Sequence, residues 1–162
     1  MRFRPPVVAD GGAIWSLVKR GGGLDVNSPY AYLMACQNWS DTCVVAEDDD
    51  GLAGIVVGYR LADRPGTLPD TLFVWQIAIA PEHRGRGLGK ALLAWLIRSN
   101  EPAWLETTIT SSNLASRALF SGFARDGKVK LSITPWLSAD SFPDQHEGED
   151  LFRIGPFPSQ KE

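Results

Sequence analysis

The sequence has little of what would make a metalloprotein, a disulfide scaffold or a membrane protein. It holds two cysteines and two histidines in 162 residues. Cys36 and Cys43 make neither a disulfide framework nor the spacing of a zinc site. No apolar run approaches the roughly 20 residues that cross a bilayer. Met1-Arg2-Phe3-Arg4-Pro5-Pro6 lacks the apolar centre of a signal peptide. Basic residues are in deficit: 16 Lys and Arg face 19 Asp and Glu, a net charge of −3. That balance argues against nucleic acid or an anionic membrane as the main partner. Internal repeats and dividing linkers are also missing, so the expectation is one domain over 1–162 in the cytoplasm. What is present is ordinary globular composition, 44% hydrophobic and 22% charged.

Within it, one stretch stands out, Trp75-Gln76-Ile77-Ala78-Ile79-Ala80-Pro81-Glu82-His83-Arg84-Gly85-Arg86-Gly87-Leu88-Gly89-Lys90. A strand-like run stops at Ala80-Pro81, a loop of charge and glycine follows, and Leu88 begins an apolar stripe at helical spacing. Gly85, Gly87 and Gly89 lack a Cβ, so the backbone there can adopt φ > 0 and approach a ligand closely. The first N–H groups of the new helix have no internal partners and point at an arriving anion. The dinucleotide fingerprint fails, because its third glycine falls on Lys90. The mononucleotide P-loop fails at Arg84 and Ala91.

The rest of the chain reads as follows. Arg2-Phe3-Arg4 is a first strand. Asp10 caps a helix through Ile14, Leu17 and Val18, ended by Gly21-Gly22-Gly23. Ser28-Pro29 opens a second helix, with Tyr30, Leu33, Met34 and Gln37 along it. Thr42–Glu47 and Leu52–Arg60 pair across the turn Asp48-Asp49-Asp50-Gly51, and Gly54 and Gly58 mark bulge or packing points. A Pro/Gly loop, Ala62–Asp70, leads to the strand Thr71–Ile79. After the glycine loop come a helix from Gly87 to about Ser99, the strand Trp104–Thr110 and a helix opened by Asn113. Val129–Ile133 and Leu151–Ile154 are the last strands, separated by a long acidic loop, Thr134–Asp150. Together these predict an α/β protein with a mixed, mostly antiparallel sheet and helices on both faces.

Arg84-x-x-Gly87-x-Gly89 resembles the (Gln/Arg)-x-x-Gly-x-(Gly/Ala) loop of the GNAT N-acetyltransferases. In that family the loop holds the pyrophosphate of acetyl-CoA. Asn113-x-x-Ser116-x-x-Leu119-Phe120 resembles the Asn-x-x-Ala-x-x-Leu-Tyr helix of the same family, and the element order matches the GNAT fold. The resemblance implies acetyl-CoA as cosubstrate and no metal. It places Ile77, Ala78 and Ile79 along the pantetheine, which pairs with backbone like an added strand. It places Arg84, Gly85, Arg86, Gly87, Leu88, Gly89 and Lys90 at the pyrophosphate, with Asn113 and Ser116 also on the coenzyme. The usual acid tyrosine is replaced by Phe120, which cannot protonate a thiolate; Tyr30 is the nearest tyrosine to nominate in its stead.

Five further stretches are similar to one GNAT branch, the L-2,4-diaminobutyrate acetyltransferases of ectoine biosynthesis. They are Leu24-Asp25-Val26-Asn27-Ser28-x-Tyr30, Asp41–Glu47, Asp70–Gln76, Leu105–Ser116 and His146-Glu147-x-Glu149-x-Leu151-Phe152-Arg153-Ile154-Gly155-Pro156. That resemblance implies acetylation of the γ-amine of L-2,4-diaminobutyrate, by a homodimer. A substrate amine of pKa about 10 arrives charged and must lose a proton before it can attack a thioester. Asp25 and Glu149 are the expected holders of the substrate amines, within an acidic region that includes Asp140, Asp144, Glu147 and Asp150. His146, or one of the carboxylates, is expected to pass the proton to water. Trp75 would form an aromatic wall against the ammonium, or else pack in the core. Cys36 and Cys43 read as small buried hydrophobes, which favours direct transfer over an acetyl-enzyme. The alternatives are a GNAT enzyme for another small diamine or amino acid, and a non-catalytic acyl-CoA sensor of the same fold.

Overall fold

A computed structural model describes residues 1–63 and 65–158. Arg64, in the Pro/Gly loop, and the four C-terminal residues lie outside the described part. Among the described residues seven strands form one sheet, in the order β1-β2-β3-β4-β5-β7-β6. They are β1 (Arg2–Arg4), β2 (Val44–Asp48), β3 (Gly51–Arg60), β4 (Thr71–Ile79), β5 (Trp104–Thr110), β6 (Leu131–Leu137) and β7 (Glu149–Ile154). The helices are α1 (Gly11–Gly21), α2 (Pro29–Asn38), α3 (Leu88–Asn100) and α4 (Leu114–Asp126). β4 and β5 run parallel, pairing Thr71 with Trp104, Leu72 with Leu105 and Phe73 with Glu106. The pairs β1–β2, β2–β3, β5–β7 and β6–β7 are antiparallel. The sheet is therefore mixed and mostly antiparallel, flanked by helices, as the pattern of runs predicts.

The chain divides into two compact units. The first holds Met1–Tyr59 and Val74–Asn100, the second Arg60–Phe73 and Glu101–Glu162. The core of the first unit joins Ile14, Leu17 and Val18 of α1, Tyr32, Ala35 and Cys36 of α2, and Val45, Ile55 and Val57 of the β2–β3 hairpin. Gly54 is a packing point: a Cβ there would sit 2.9 Å from both Ile79 Cδ1 and Leu92 Cδ1. In front of α1, Asp10 stands at the cap position, but its carboxylate takes the Val7 N–H at 2.7 Å and the Arg4 guanidinium at 2.7 and 3.0 Å. Arg4 also reaches Glu47, so one cation ties β1 to β2 and to the turn before α1. This guanidinium holds the Asp10 and Glu47 carboxyls below their usual range.

Two expectations need correction, and α2 shows a face that the sequence left open. The buried face of α2 is Tyr32, Ala35 and Cys36; Tyr30 is exposed and Gln37 faces solvent. Leu33 is half-buried beside α1, where a Cβ at Gly11 would lie 2.6 Å from its Cδ2. Next, β6 starts at Leu131 and runs on to Leu137, so the acidic loop is shorter than Thr134–Asp150 at both ends. Pro135 is tolerated because β6 is an edge strand, and the register with β7 shifts beside it. Finally, Gly89 is a buried helical residue of α3; the positive φ values belong to Gly85 (71°) and Gly87 (78°).

Candidate active site

In the first unit, β4 carries Trp75, Ile77 and Ile79 half-buried on one face and Gln76 and Ala78 buried on the other. The strand ends in a short turn at Pro81–His83 and the glycine loop rises from it. Gly85 and Gly87 supply the left-handed backbone that the loop needs, and a Cβ built on either meets nothing within 4 Å. The loop therefore presents its main chain to open space. The first bond inside α3 runs from the Ala91 N–H to the Gly87 carbonyl, 3.1 Å. The amides of Leu88 and Gly89 lie ahead of it, where a helix has no carbonyl of its own to offer. Backbone N–H groups and a helix N-terminus thus meet in a loop that also carries the cations Arg86 and Lys90, a combination suited to a phosphate.

Arg84 does something else. Its Nη2 donates to the Gly21 carbonyl at 2.5 Å and its Nε to the Ile79 carbonyl at 3.2 Å. Gly21 is the last residue of α1, whose terminal carbonyls lack helical partners and carry partial negative charge. Arg84 props the loop against that helix end. Arg20 and Glu82 approach at 3.7 Å, and His83 Nε2 lies 3.3 Å from Asp48, so the turn before the loop is held at three points.

The acceptor-side candidates of this unit are linked by a polar chain that the sequence does not announce. Tyr32 is fully buried, and its hydroxyl donates to Gln76 Oε1 at 2.8 Å. Gln76 Nε2 donates to the Asp25 main-chain carbonyl at 2.8 Å. The Asn27 N–H points at the Tyr32 hydroxyl at 3.4 Å. Trp75 stacks on Tyr32, with ring centroids 6.2 Å apart and planes 25° off parallel. Asp25 itself is exposed, in the connector before α2. Tyr30, two residues from Tyr32, is 67% exposed on the first turn of the helix.

The second unit carries the remaining candidates. Asn113 Oδ1 accepts the Ser116 N–H at 3.1 Å, so Asn113 caps α4 and Ser116 completes its first turn. Phe120, the position of the missing tyrosine, is buried. Glu147 accepts hydrogen bonds from the hydroxyls of Ser111, at 2.9 Å, and Ser112. Those two hydroxyls, Ser112 first, hold its carboxyl below the usual range. The acidic loop is in this way pinned to the turn that leads into α4. His146 stacks on Phe142, its centroid 3.9 Å away, and its Nδ1 lies 2.5 Å from the Glu147 carbonyl oxygen. A carbonyl only accepts, so Nδ1 is the donor of this contact. Nε2 is 3.8 Å from Glu149 Oε1, and both side chains are 19% exposed. Asp150 is engaged by Arg117 at 3.0 Å, and Arg117 lies over Phe152 at 5.0 Å. It serves structure, as does the buried Glu106, which accepts from Arg153 at 2.5 Å.

Cys43 is wholly buried and donates to the Gly58 carbonyl at 3.6 Å. Burial pushes its thiol up to about 12, and it raises Cys36 as well. A buried thiol held in its neutral form is a poor nucleophile. Cys43→Ala is expected to keep turnover per folded molecule within about a factor of two. Rapid-quench kinetics should show no acetylated protein ahead of product. Lost chemistry with intact folding would instead assign Cys43 a covalent role. Among the described residues no group of three or more His, Cys, Asp or Glu is placed to hold a metal ion.

A model of the acetyltransferase (GNAT) family matches residues 15–123. The L-2,4-diaminobutyric acid acetyltransferase of Nocardia farcinica (strain IFM 10152) is 45% identical over 157 residues, which are 95% of this chain and 79% of that protein. The enzyme of the same name from Shouchella clausii (strain KSM-K16) is 44% identical, over 95% of this chain and 86% of its own. Among solved structures, the diaminobutyrate acetyltransferase of Paenibacillus lautus, in complex with L-2,4-diaminobutyric acid and coenzyme A, superposes with a TM-score of 0.88. It is 38% identical, and the match covers 99% of this chain and 98% of that one. Naa20 of Chaetomium thermophilum, bound to a bisubstrate analogue, shares the fold at a TM-score of 0.72, 97% of this chain and 87% of its own, with 17% identity.

Proposed function

Because the chain belongs to the GNAT acetyltransferase family, and within it to the L-2,4-diaminobutyric acid acetyltransferases, we propose that it acetylates the γ-amine of L-2,4-diaminobutyrate with acetyl-CoA, a step of ectoine biosynthesis. The observation that carries this reading is the full-length likeness to the Paenibacillus lautus enzyme, whose bound ligands are that diamine and coenzyme A.

The residues present suit such a coenzyme. The loop Arg84–Lys90 presents left-handed glycines and main-chain amides to open space and carries the cations Arg86 and Lys90, which fits a pyrophosphate. Arg84 contributes by shaping the loop. The backbone of Ile77, Ala78 and Ile79 is the strand along which pantetheine would pair. Asn113 and Ser116 would serve the coenzyme through the capped first turn of α4. Acetyl-CoA supplies an activated thioester; the amine nitrogen bonds to the acyl carbon and the carbon–sulfur bond breaks.

Asp25, Trp75 and Glu149 are the proposed hold on the diamine. Glu149 would bind an ammonium, and His146 Nε2, beside it, would take the proton and hand it to water. Tyr30 is a candidate only for work at a solvent-open position, given its exposure. The proposal extends to a cytoplasmic homodimer, as the family resemblance implies, which sedimentation of the purified protein would check.

The test is a panel of amines with acetyl-CoA, reading thiol release and the product by NMR. Diaminobutyrate should exceed lysine and ornithine in kcat/KM by at least about tenfold, and the acetyl group should sit on the γ-nitrogen. Equal turnover of lysine would overturn the assignment in favour of a broader diamine acetyltransferase. Coenzyme binding without turnover of any amine would favour a sensor.

A further inference from the structure

Tyr32 and Gln76 lie in the buried interior of the first unit, and beyond their bond to each other their polar side-chain atoms meet main-chain groups of an irregular segment. The Tyr32 hydroxyl is fully buried and donates to Gln76 Oε1 at 2.8 Å. Gln76 is 7% exposed and points its amide nitrogen out of the core, to the carbonyl of Asp25 at 2.8 Å. The Asn27 N–H returns to the Tyr32 hydroxyl at 3.4 Å. Two main-chain groups of one irregular segment, at residues 25 and 27, are thus gripped by side chains rooted in β4 and α2. The segment between α1 and α2 follows three consecutive glycines, Gly21–Gly23, two of which have positive φ. Such a segment has many conformations to lose. A buried amide and a buried phenol that can be satisfied only by its native path select that path, because any other leaves them unpaired in a medium of low dielectric.

The choice of residue types fits this role and not simple packing. A core position on β4 between Val74 and Ala78 would accept an apolar side chain at no polar cost. Gln is the side chain that both accepts from the phenol and donates to a carbonyl, along one amide plane. Trp75, the next residue on β4, stacks on the ring of Tyr32. One phenol therefore touches two of the three groups assigned to the diamine, the Trp75 ring directly and the Asp25 segment through Gln76.

We propose that Tyr32 and Gln76 are positioning residues that set the Asp25 carboxylate and the Trp75 ring for the amine substrate, acting on acceptor affinity and not on the coenzyme. This rests on the diaminobutyrate reading above. Tyr32→Phe keeps the ring, its stacking and its volume, and removes one hydroxyl. It should raise KM for diaminobutyrate about tenfold, the effect of one neutral hydrogen bond lost to a positioned group. KM for acetyl-CoA should stay within about a factor of two. Gln76→Glu keeps the acceptor for Tyr32 but replaces the donor to Asp25 by an oxygen. It should show the same split, and lowering the pH should restore amine affinity, since a protonated carboxyl donates to the carbonyl again.

Hydrogen exchange on the unliganded full chain gives a readout that does not depend on turnover. In Tyr32→Phe the peptide spanning residues 24–28 should exchange at least about tenfold faster than in the parent, with β2 and α3 unchanged. Parallel losses in both KM values, or faster exchange across the whole unit, would reduce the pair to ordinary packing and overturn the proposal. If the parent protein fails to turn over diaminobutyrate at all, the functional reading falls, while local loosening of residues 24–28 would still establish the hold on the segment.

Discussion

Glu149→Gln is expected to lower kcat/KM for diaminobutyrate by about a hundredfold or more, and Asp25→Asn by about tenfold, each with coenzyme affinity almost unchanged. The substrate amine carries a positive charge near neutrality, with a pKa of about 10 in its free form. A carboxylate that meets it contributes a charge-assisted hydrogen bond, and the carboxamide keeps the shape but not the charge. The two sites differ because solvent screens them differently. Glu149 is 19% exposed and has His146 at 3.8 Å, whereas the Asp25 side chain is exposed in a loop. Glu149→Gln also changes the partner of His146 Nε2, so it should alter the pH profile as well as KM, and Asp25→Asn should alter KM alone. Steady-state kinetics over a pH series, with coenzyme titrated by calorimetry, separates the two. Carboxamides that leave KM for diaminobutyrate untouched would remove both residues from the acceptor site.

Gly87→Ala is expected to weaken acetyl-CoA binding by about ten- to a hundredfold while KM for the amine holds. Gly87 has φ of 78° and opens the turn into α3. A left-handed conformation costs a residue with a Cβ about 1–2 kcal/mol, so the loop would relax and its amides would rotate away from the phosphate site. The Cβ meets no protein atom, so the loss should appear in ligand binding and not as a packing defect. Gly12→Ala is the matched control. Gly12 lies in α1, has nothing within 4 Å of a built Cβ, and should raise stability by up to about 1 kcal/mol without touching the coenzyme. Equal coenzyme affinities in the parent and in Gly87→Ala would mean that the loop does not hold the pyrophosphate.

The elements were legible in the chain wherever the pattern was local. β4 and β5 match the expected Thr71–Ile79 and Trp104–Thr110, and Asn113 caps α4 through its own side chain. These rest on β-branched runs and on capping chemistry, which act within a few residues. β6 was less legible, because Pro135 and the polar residues around it look like a loop; only its place at the sheet edge lets a strand carry them. The buried face of α2 was not legible for a related reason. Tyr30 and Tyr32 are two residues apart, on different faces of a helix, and composition does not say which face turns inward. Packing in the core decides that, and it takes in Tyr32, Ala35 and Cys36.

The candidate site shows the same division. The sequence by itself determined the chemistry of the coenzyme loop, since glycines at 85 and 87 ahead of a helix N-terminus present amides to an anion whatever lies around them. It also determined the residue types available to a cationic substrate. Only the tertiary structure decided what each does. It engaged Arg84 with the carbonyls of Gly21 and Ile79, tied Glu147 to Ser111 and Ser112, and set His146 Nε2 toward Glu149. It also ran one buried chain from Tyr32 through Gln76 to Asp25. Tyr32 and Asp25 each lie more than 40 residues from Gln76 along the chain. A polar side chain's role is set by the partner it finds on burial, and for these residues that partner comes from another element, which no local pattern specifies.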